Sequence, residues 1–166
     1  MAELTQKERL QPSLLDRLTD DEPHSQNESR DKRVLSMYKL RESVLRDVSW
    51  LLNSDSMETV VDLTEYPEVA KSVLNYGIKD LAGRVVAGVN VTEIEKGLKQ
   101  AVNNFEPRIM ANSLNVHVFK SDKMDQQALS FDIEADLWAQ PLPLHLYLRT
   151  EINKITGDIS LLDLDN

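Results

Sequence analysis

TEIEKGLKQAVNNFEPRIMANSLNVHV, residues 92–118, changes its hydrophobic period halfway along. Thr92-Glu93-Ile94-Glu95 reads as a capping box, a hydroxyl at the N-cap with a glutamate three residues on. Ile94, Leu98, Ala101, Val102 and Phe105 then share one helical face. Pro107 stops the helix, because it offers no N–H and drives Glu106 out of the helical region. Beyond Arg108 the period falls to two: Leu114, Val116 and Val118 alternate with Asn115, His117 and Phe119. The spacing therefore predicts a capped amphipathic helix, a proline corner carrying one acid and one base, and a strand.

Downstream the period of two continues. A first strand is expected over Ser113–Lys120, with a turn at Ser121–Asp125. In the second, Ala128–Ala139, Phe131, Ile133, Ala135 and Leu137 oppose Asp132, Glu134 and Asp136. Pro141 and Pro143 break it. The third sets Leu144, Leu146 and Leu148 against His145, Tyr147, Arg149 and Glu151. After a turn at Thr156-Gly157-Asp158, Ile159–Leu164 makes a fourth strand at an edge. Upstream the long helix is Val34–Leu52, with Val34, Met37, Tyr38, Val44, Leu45, Val48, Leu51 and Leu52 on one face and Arg41 set among them to snorkel or meet a carboxylate. Met57–Tyr66 reads as irregular, anchored by Val60, Val61 and Leu63. Pro67 and Gly77 frame a short helix, and Gly83 and Gly88 punctuate a loop. The fold class is α+β: N-terminal helices, then a three- to four-stranded antiparallel sheet, with a flexible N-terminal tail.

The division is residues 1–33, a docking segment and linker, and residues 34–166, the folded domain. Asp20–Arg33 has no aliphatic or aromatic residue and mixes both charges, a composition that buries too little to order itself. Before it, Leu10, Leu14, Leu15 and Leu18 form a short amphipathic stripe around Pro12. It reads either as a helical turn on this protein's own core or as a peptide that docks on another subunit. The linker behind it tilts the reading toward docking.

A chain of 166 residues that is 41% hydrophobic can bury a core, and with no cysteine it has neither disulfide nor thiolate metal site. No apolar run suggests a signal peptide or a membrane span, so a reducing cytoplasm is the expected location. The net charge of −9 argues against nucleic acid and anionic membranes. From Ser121 onward nine Asp or Glu face three Lys or Arg, which fits a solvated surface or a basic partner.

Phe105-Glu106-Pro107-Arg108 after an amphipathic helix resembles the signature of the TssE family, the small baseplate subunit of bacterial type VI secretion systems, itself similar to a baseplate wedge protein of contractile phage tails. Ser72-Val73-Leu74-Asn75-Tyr76-Gly77-Ile78 with Asp80-Leu81 resembles the segment before that family's central helix. Leu148-Arg149-Thr150-Glu151-Ile152 through Gly157 resembles its last hairpin, and Pro12-Ser13-Leu14-Leu15-Asp16-Arg17-Leu18 its start. The four occur in the family's order. The resemblance implies a structural, non-enzymatic part of a contractile injection machine, located in the cytoplasm at a baseplate docked to the inner membrane complex. It implies as partners other wedge subunits of the TssF, TssG and TssK classes and the contractile sheath. From the residues themselves no cofactor, no metal, no nucleic acid and no membrane insertion is expected. An exposed strand edge suits such a role, since a sheet can accept a neighbour's strand through main-chain bonds.

Two other readings belong to different classes. Relatives have been named lysozyme-like, and Asp132, Glu134 and Asp136, roughly 6–7 Å apart along one strand face, overlap the separations of paired glycosidase carboxylates. A general acid needs a raised pKa from burial in an apolar pocket, whereas this row faces away from the apolar side, with Arg149 or Lys154 as cross-strand partners. A regulatory anti-adaptor of the same fold family is the other reading. His117 and His145 are expected as surface histidines, though neighbouring strands would let them meet. Trp50 and Trp138 are expected as core or edge packing. No residue reads as catalytic. The candidate partner-binding residues are Glu106, Pro107 and Arg108 at the corner and Leu14, Leu15 and Leu18 in the stripe. At the corner, Arg108 either forks onto a carboxylate of this chain or is presented outward to a partner. The resemblance favours outward presentation.

Overall fold

A computed structural model describes residues 13–19, 23–24, 37–79, 90–120, 129–139, 143–152 and 158–164. Its elements are α1 (Leu14–Leu18), α2 (Met37–Leu52), α3 (Pro67–Ala70), α4 (Val91–Phe105), and strands β1 (Asn115–Lys120), β2 (Leu129–Leu137), β3 (Leu144–Ile152) and β4 (Ile159–Asp163). The strands form an antiparallel meander in chain order. Both helix faces cover one side of it, α4 beside β1 and α2 beside β4.

The period of two is what makes this sheet one-sided. Phe131, Ile133, Ala135 and Leu137 of β2 and Leu146 and Leu148 of β3 are buried, together with Leu98, Ala101 and Val102 of α4 and Val44, Val48, Leu51 and Leu52 of α2. The inner row of β3 continues through Thr150, whose hydroxyl donates to the Phe131 carbonyl at 2.8 Å, so this buried polar group is satisfied.

Several expectations are corrected. The α4 N-cap is Asn90, whose side chain accepts from Thr92 N–H at 3.1 Å, so the helix is capped two residues earlier than expected and the capping box predicted at Thr92–Glu95 does not form. Glu95 instead reaches the outer edge of β1 and accepts the Val118 N–H at 2.9 Å. In α2, Tyr38 is exposed and Leu40 and Ser43 are buried, a rotation of the inner face; Val34 lies outside the described residues. Val60 and Val61 are exposed, and Leu63 alone of the three anchors its segment. Pro67 starts a helix as expected, but it lasts one turn, and a 3-10 turn at Val73–Asn75 follows. Gly83, Gly88, the Ser121–Asp125 turn and Lys154 fall outside the described residues.

Two side chains, one in α2 and one just past its end, hold β4. Arg41 forks onto Asp163, so of the two outcomes expected for it, snorkelling or meeting a carboxylate, it takes the second. Just past the helix, Asn53 accepts the Ile159 N–H and donates to the Ile159 carbonyl, both at 2.8 Å. Its amide thus stands in for a neighbouring strand at one position of an open edge. Asn53→Ala is expected to cost about 1–2 kcal/mol, two modest hydrogen bonds at a partly wetted edge, and to speed amide exchange at Ile159. Unchanged exchange there would show that the clamp contributes nothing.

Candidate functional site

The corner begins where α4 ends. Glu106 closes the helix with its N–H on the Val102 carbonyl and then leaves helical geometry before Pro107. Arg108 and Ile109 run alongside the end of β2: Trp138 N–H donates to the Arg108 carbonyl at 2.8 Å and Met110 N–H to the Asp136 carbonyl at 2.9 Å. This backbone pairing fixes where both charged side chains start.

Glu106 is 3% exposed. Its carboxylate accepts from the Arg108 backbone N–H at 3.1 Å, from Nε at 2.7 Å and from Nη2 at 2.5 Å. The same guanidinium reaches α2, donating to Ser43 Oγ at 3.2 Å and to Asp47 Oδ2 at 2.5 Å. The outward presentation expected for Arg108 is therefore corrected. Its fork is turned into the chain, because a buried carboxylate two residues away and a second one on α2 lie within its reach. Burial alone would lower the pKa of this guanidinium; Glu106 and then Asp47 outweigh it and raise it. Tyr76 closes the same region, its ring edge-on to Phe105 at 5.3 Å and its hydroxyl 3.4 Å from the Asp47 carbonyl.

The charges continue to the N-terminal segment. Arg46 Nε donates to Asp47 at 2.9 Å, and Nη2 lies 2.8 Å from carboxylate oxygens of both Asp47 and Asp16. Asp16 also completes a capping box with Ser13 at the start of α1. One chain of alternating charge thus runs Asp16, Arg46, Asp47, Arg108, Glu106. It places α1 on α2 with its leucines outward: Leu14 is 71% exposed, Leu18 75% and Leu15 partly so. Of the two readings of the stripe, packing on this protein's own core does not hold for these three residues. Trp50, also exposed, lies under the Arg46 guanidinium at 5.2 Å rather than in the core, and Trp138 is exposed as well.

The sequence could not pair Glu106 with Arg108 across the proline, and it did not single out Ser43 or Asp47. The available signal was their spacing: two polar residues four apart on α2, next to its apolar face, face one point in space.

The outer sheet face is a solvated ion-pair surface. Arg149 forks onto Asp132 with both bonds at 3.0 Å, and Tyr147 donates to Asp132 at 2.7 Å. Glu134 and Asp136 are more open, Asp136 lying 3.1 Å from His145 Nδ1. His117 and His145 sit on β1 and β3 with β2 between them, so they do not meet. No group of three or more metal-ligating side chains occurs among the described residues. Arg149, opposed by burial and helped by Tyr147, pulls the Asp132 carboxyl below its ordinary 3.8. A folded-state pKa below the unfolded one stabilises above the unfolded value and is lost as pH falls through the folded value. Asp132→Asn should therefore flatten the loss of melting temperature between about pH 5 and pH 2, and an unaltered acid limb would refute the pairing. A carboxylate held ionised is also the opposite of a general acid. Purified protein is expected to release nothing from labelled peptidoglycan; release abolished by Glu134→Gln would overturn this.

No helix among the described residues is long and apolar enough to cross a membrane. No curated protein matches the chain. A family model described as Baseplate wedge protein gp25 matches residues 38–142, more than half of the chain, from α2 through the corner and past β2. The chain therefore belongs to the baseplate wedge protein gp25 family, whose members are structural parts of a baseplate.

Proposed function

We propose that this protein is the TssE-type wedge subunit of a type VI secretion baseplate, binding wedge subunits of the TssF, TssG and TssK classes and helping to nucleate the contractile sheath. The family match carries the reading, since it spans the corner and the two helices that hold it. In the same reading the protein sits in the cytoplasm, at a baseplate docked to the inner membrane complex. Its partner-facing elements are the corner, with Pro107 at its turn and Glu106 and Arg108 fixing its shape, and the outward Leu14, Leu15 and Leu18 of α1. Residues 1–33 serve as docking segment and linker to the domain at 34–166. Sheath subunits would meet the sheet edges, where Glu95 at Val118 and Asn53 at Ile159 already occupy two positions. The test is co-expression with candidate wedge subunits, plus sheath counting by fluorescence in a deletion strain. Stable co-purification and loss of sheaths are expected, with weaker capture for a form lacking residues 1–18. Normal sheaths in the deletion strain, with no wedge subunit captured, would end the proposal.

A further inference from the structure

Residues 57–74 form a second outward surface that neither the corner nor the sheet uses. Two 3-10 turns, Met57–Thr59 and Val73–Asn75, lie side by side. Asn75, buried between them, accepts the Glu58 N–H at 2.9 Å and donates to the Ala70 carbonyl at 2.9 Å. Leu63 is buried beneath, and Gly77 passes tightly against Ser54. On this braced base the large apolar side chains point out: Val60 is 88% exposed, Val73 81% and Leu74 68%, with Met57, Val61 and Tyr66 also open. Scattered exposed apolar residues are ordinary, but this many on one braced segment mark an interaction surface.

Its charge says what fits. Residues 55–74 hold Asp55, Glu58, Asp62, Glu65 and Glu68 against a single cation, the exposed Lys71, and no Arg or His. Glu58 is paired with Lys79 at 3.2 Å, and Asp62 binds its own Thr64. Asp55, Glu65 and Glu68 have no ion-pair partner among the described residues. We propose that this face docks an amphipathic segment of another protein, apolar on one side and rich in lysine or arginine on the other. The proposal does not depend on the type VI reading.

The probe is a fluorescent synthetic helical peptide with leucines on one face and lysines on the other, titrated against the whole protein. Saturable binding is expected, with amide-exchange protection confined to residues 57–75. Val73→Ser with Leu74→Ser, and separately Glu65→Gln with Glu68→Gln, should each weaken it by about tenfold. Both lie at the surface, so melting curves should be unchanged. Glu134→Gln with Asp136→Asn on the outer sheet face removes the same charge and should change binding by no more than about twofold. Equal loss in that control would reduce the effect to net charge and overturn the proposal. So would equal binding of a peptide with glutamates for lysines, protection elsewhere, or a dimer in sedimentation that Val73→Ser with Leu74→Ser dissolves, which would make a second copy the occupant.

Discussion

Arg108→Ala is expected to destabilise the protein by about 3–5 kcal/mol and to lower its melting temperature on the order of 10 °C. The cost arises less from the lost attraction than from what stays behind. Glu106 is buried, and three of its contacts come from Arg108, two of them from the guanidinium. Without the arginine side chain it would face the interior with a backbone N–H alone, while Ser43 and Asp47 lose their link to the corner. Arg108→Lys keeps the charge but not the planar fork, so it should fall between wild type and alanine. Glu106→Gln with Arg108→Met removes both charges and should recover much of the loss, since a buried pair is dispensable when removed whole. A melting temperature within about 2 °C of wild type, combined with lost capture of wedge subunits, would show that the guanidinium acts on a partner after all.

Gly77→Ala should rank next. Gly77 has φ +124, where side-chain-bearing residues are strained by about 1–3 kcal/mol. A Cβ there would also stand 2.3 Å from the Ser54 carbonyl oxygen. That oxygen accepts the Ile78 N–H at 2.9 Å, and Ile78 in turn accepts from Ser56 N–H at 2.9 Å. Backbone on both sides has to move, so the strand-like bridge between Asp55 and Ile78 should open. The expected readouts are a lowered melting temperature and faster exchange at Ile78. Gly97→Ala is the internal comparison: a Cβ there meets nothing, and alanine favours a helix interior, so it should stabilise slightly. Equal melting temperatures for the two variants would contradict this account of Gly77.

The elements that local pattern encodes were readable from the chain. Alternation over Phe131–Leu137 and Leu144–Leu148 assigns strand and face together, because a period of two fixes both. The α4 face from Ile94 to Phe105 was equally plain. The α2 face was partly misread, since Tyr38 is apolar enough to fit the stripe while the helix turns Leu40 and Ser43 inward. The corner shows the deeper difficulty. Its residue types were evident, but Arg108 meets Asp47 across 61 positions, and no local period carries that information. The α4 cap failed for a different reason: Asn90 and Thr92 are both competent caps, and the choice depends on where Glu95 is needed, at the Val118 edge.

The hold of α2 on β4 also sets a clock on synthesis. Arg41 and Asp163 are 122 positions apart, and Asn53 and Ile159 are 106 apart. At about 5–20 residues per second of translation, α2 waits on the order of 10 s for the strand that locks it. The meander closes between sequence neighbours and can form as it emerges, whereas the α2–β4 contact is long-range and comes last. Until then Val44, Val48 and Leu51 have no finished sheet to lie on, so the nascent chain is most open to chaperones, and to its own neighbours on a polysome, in that interval.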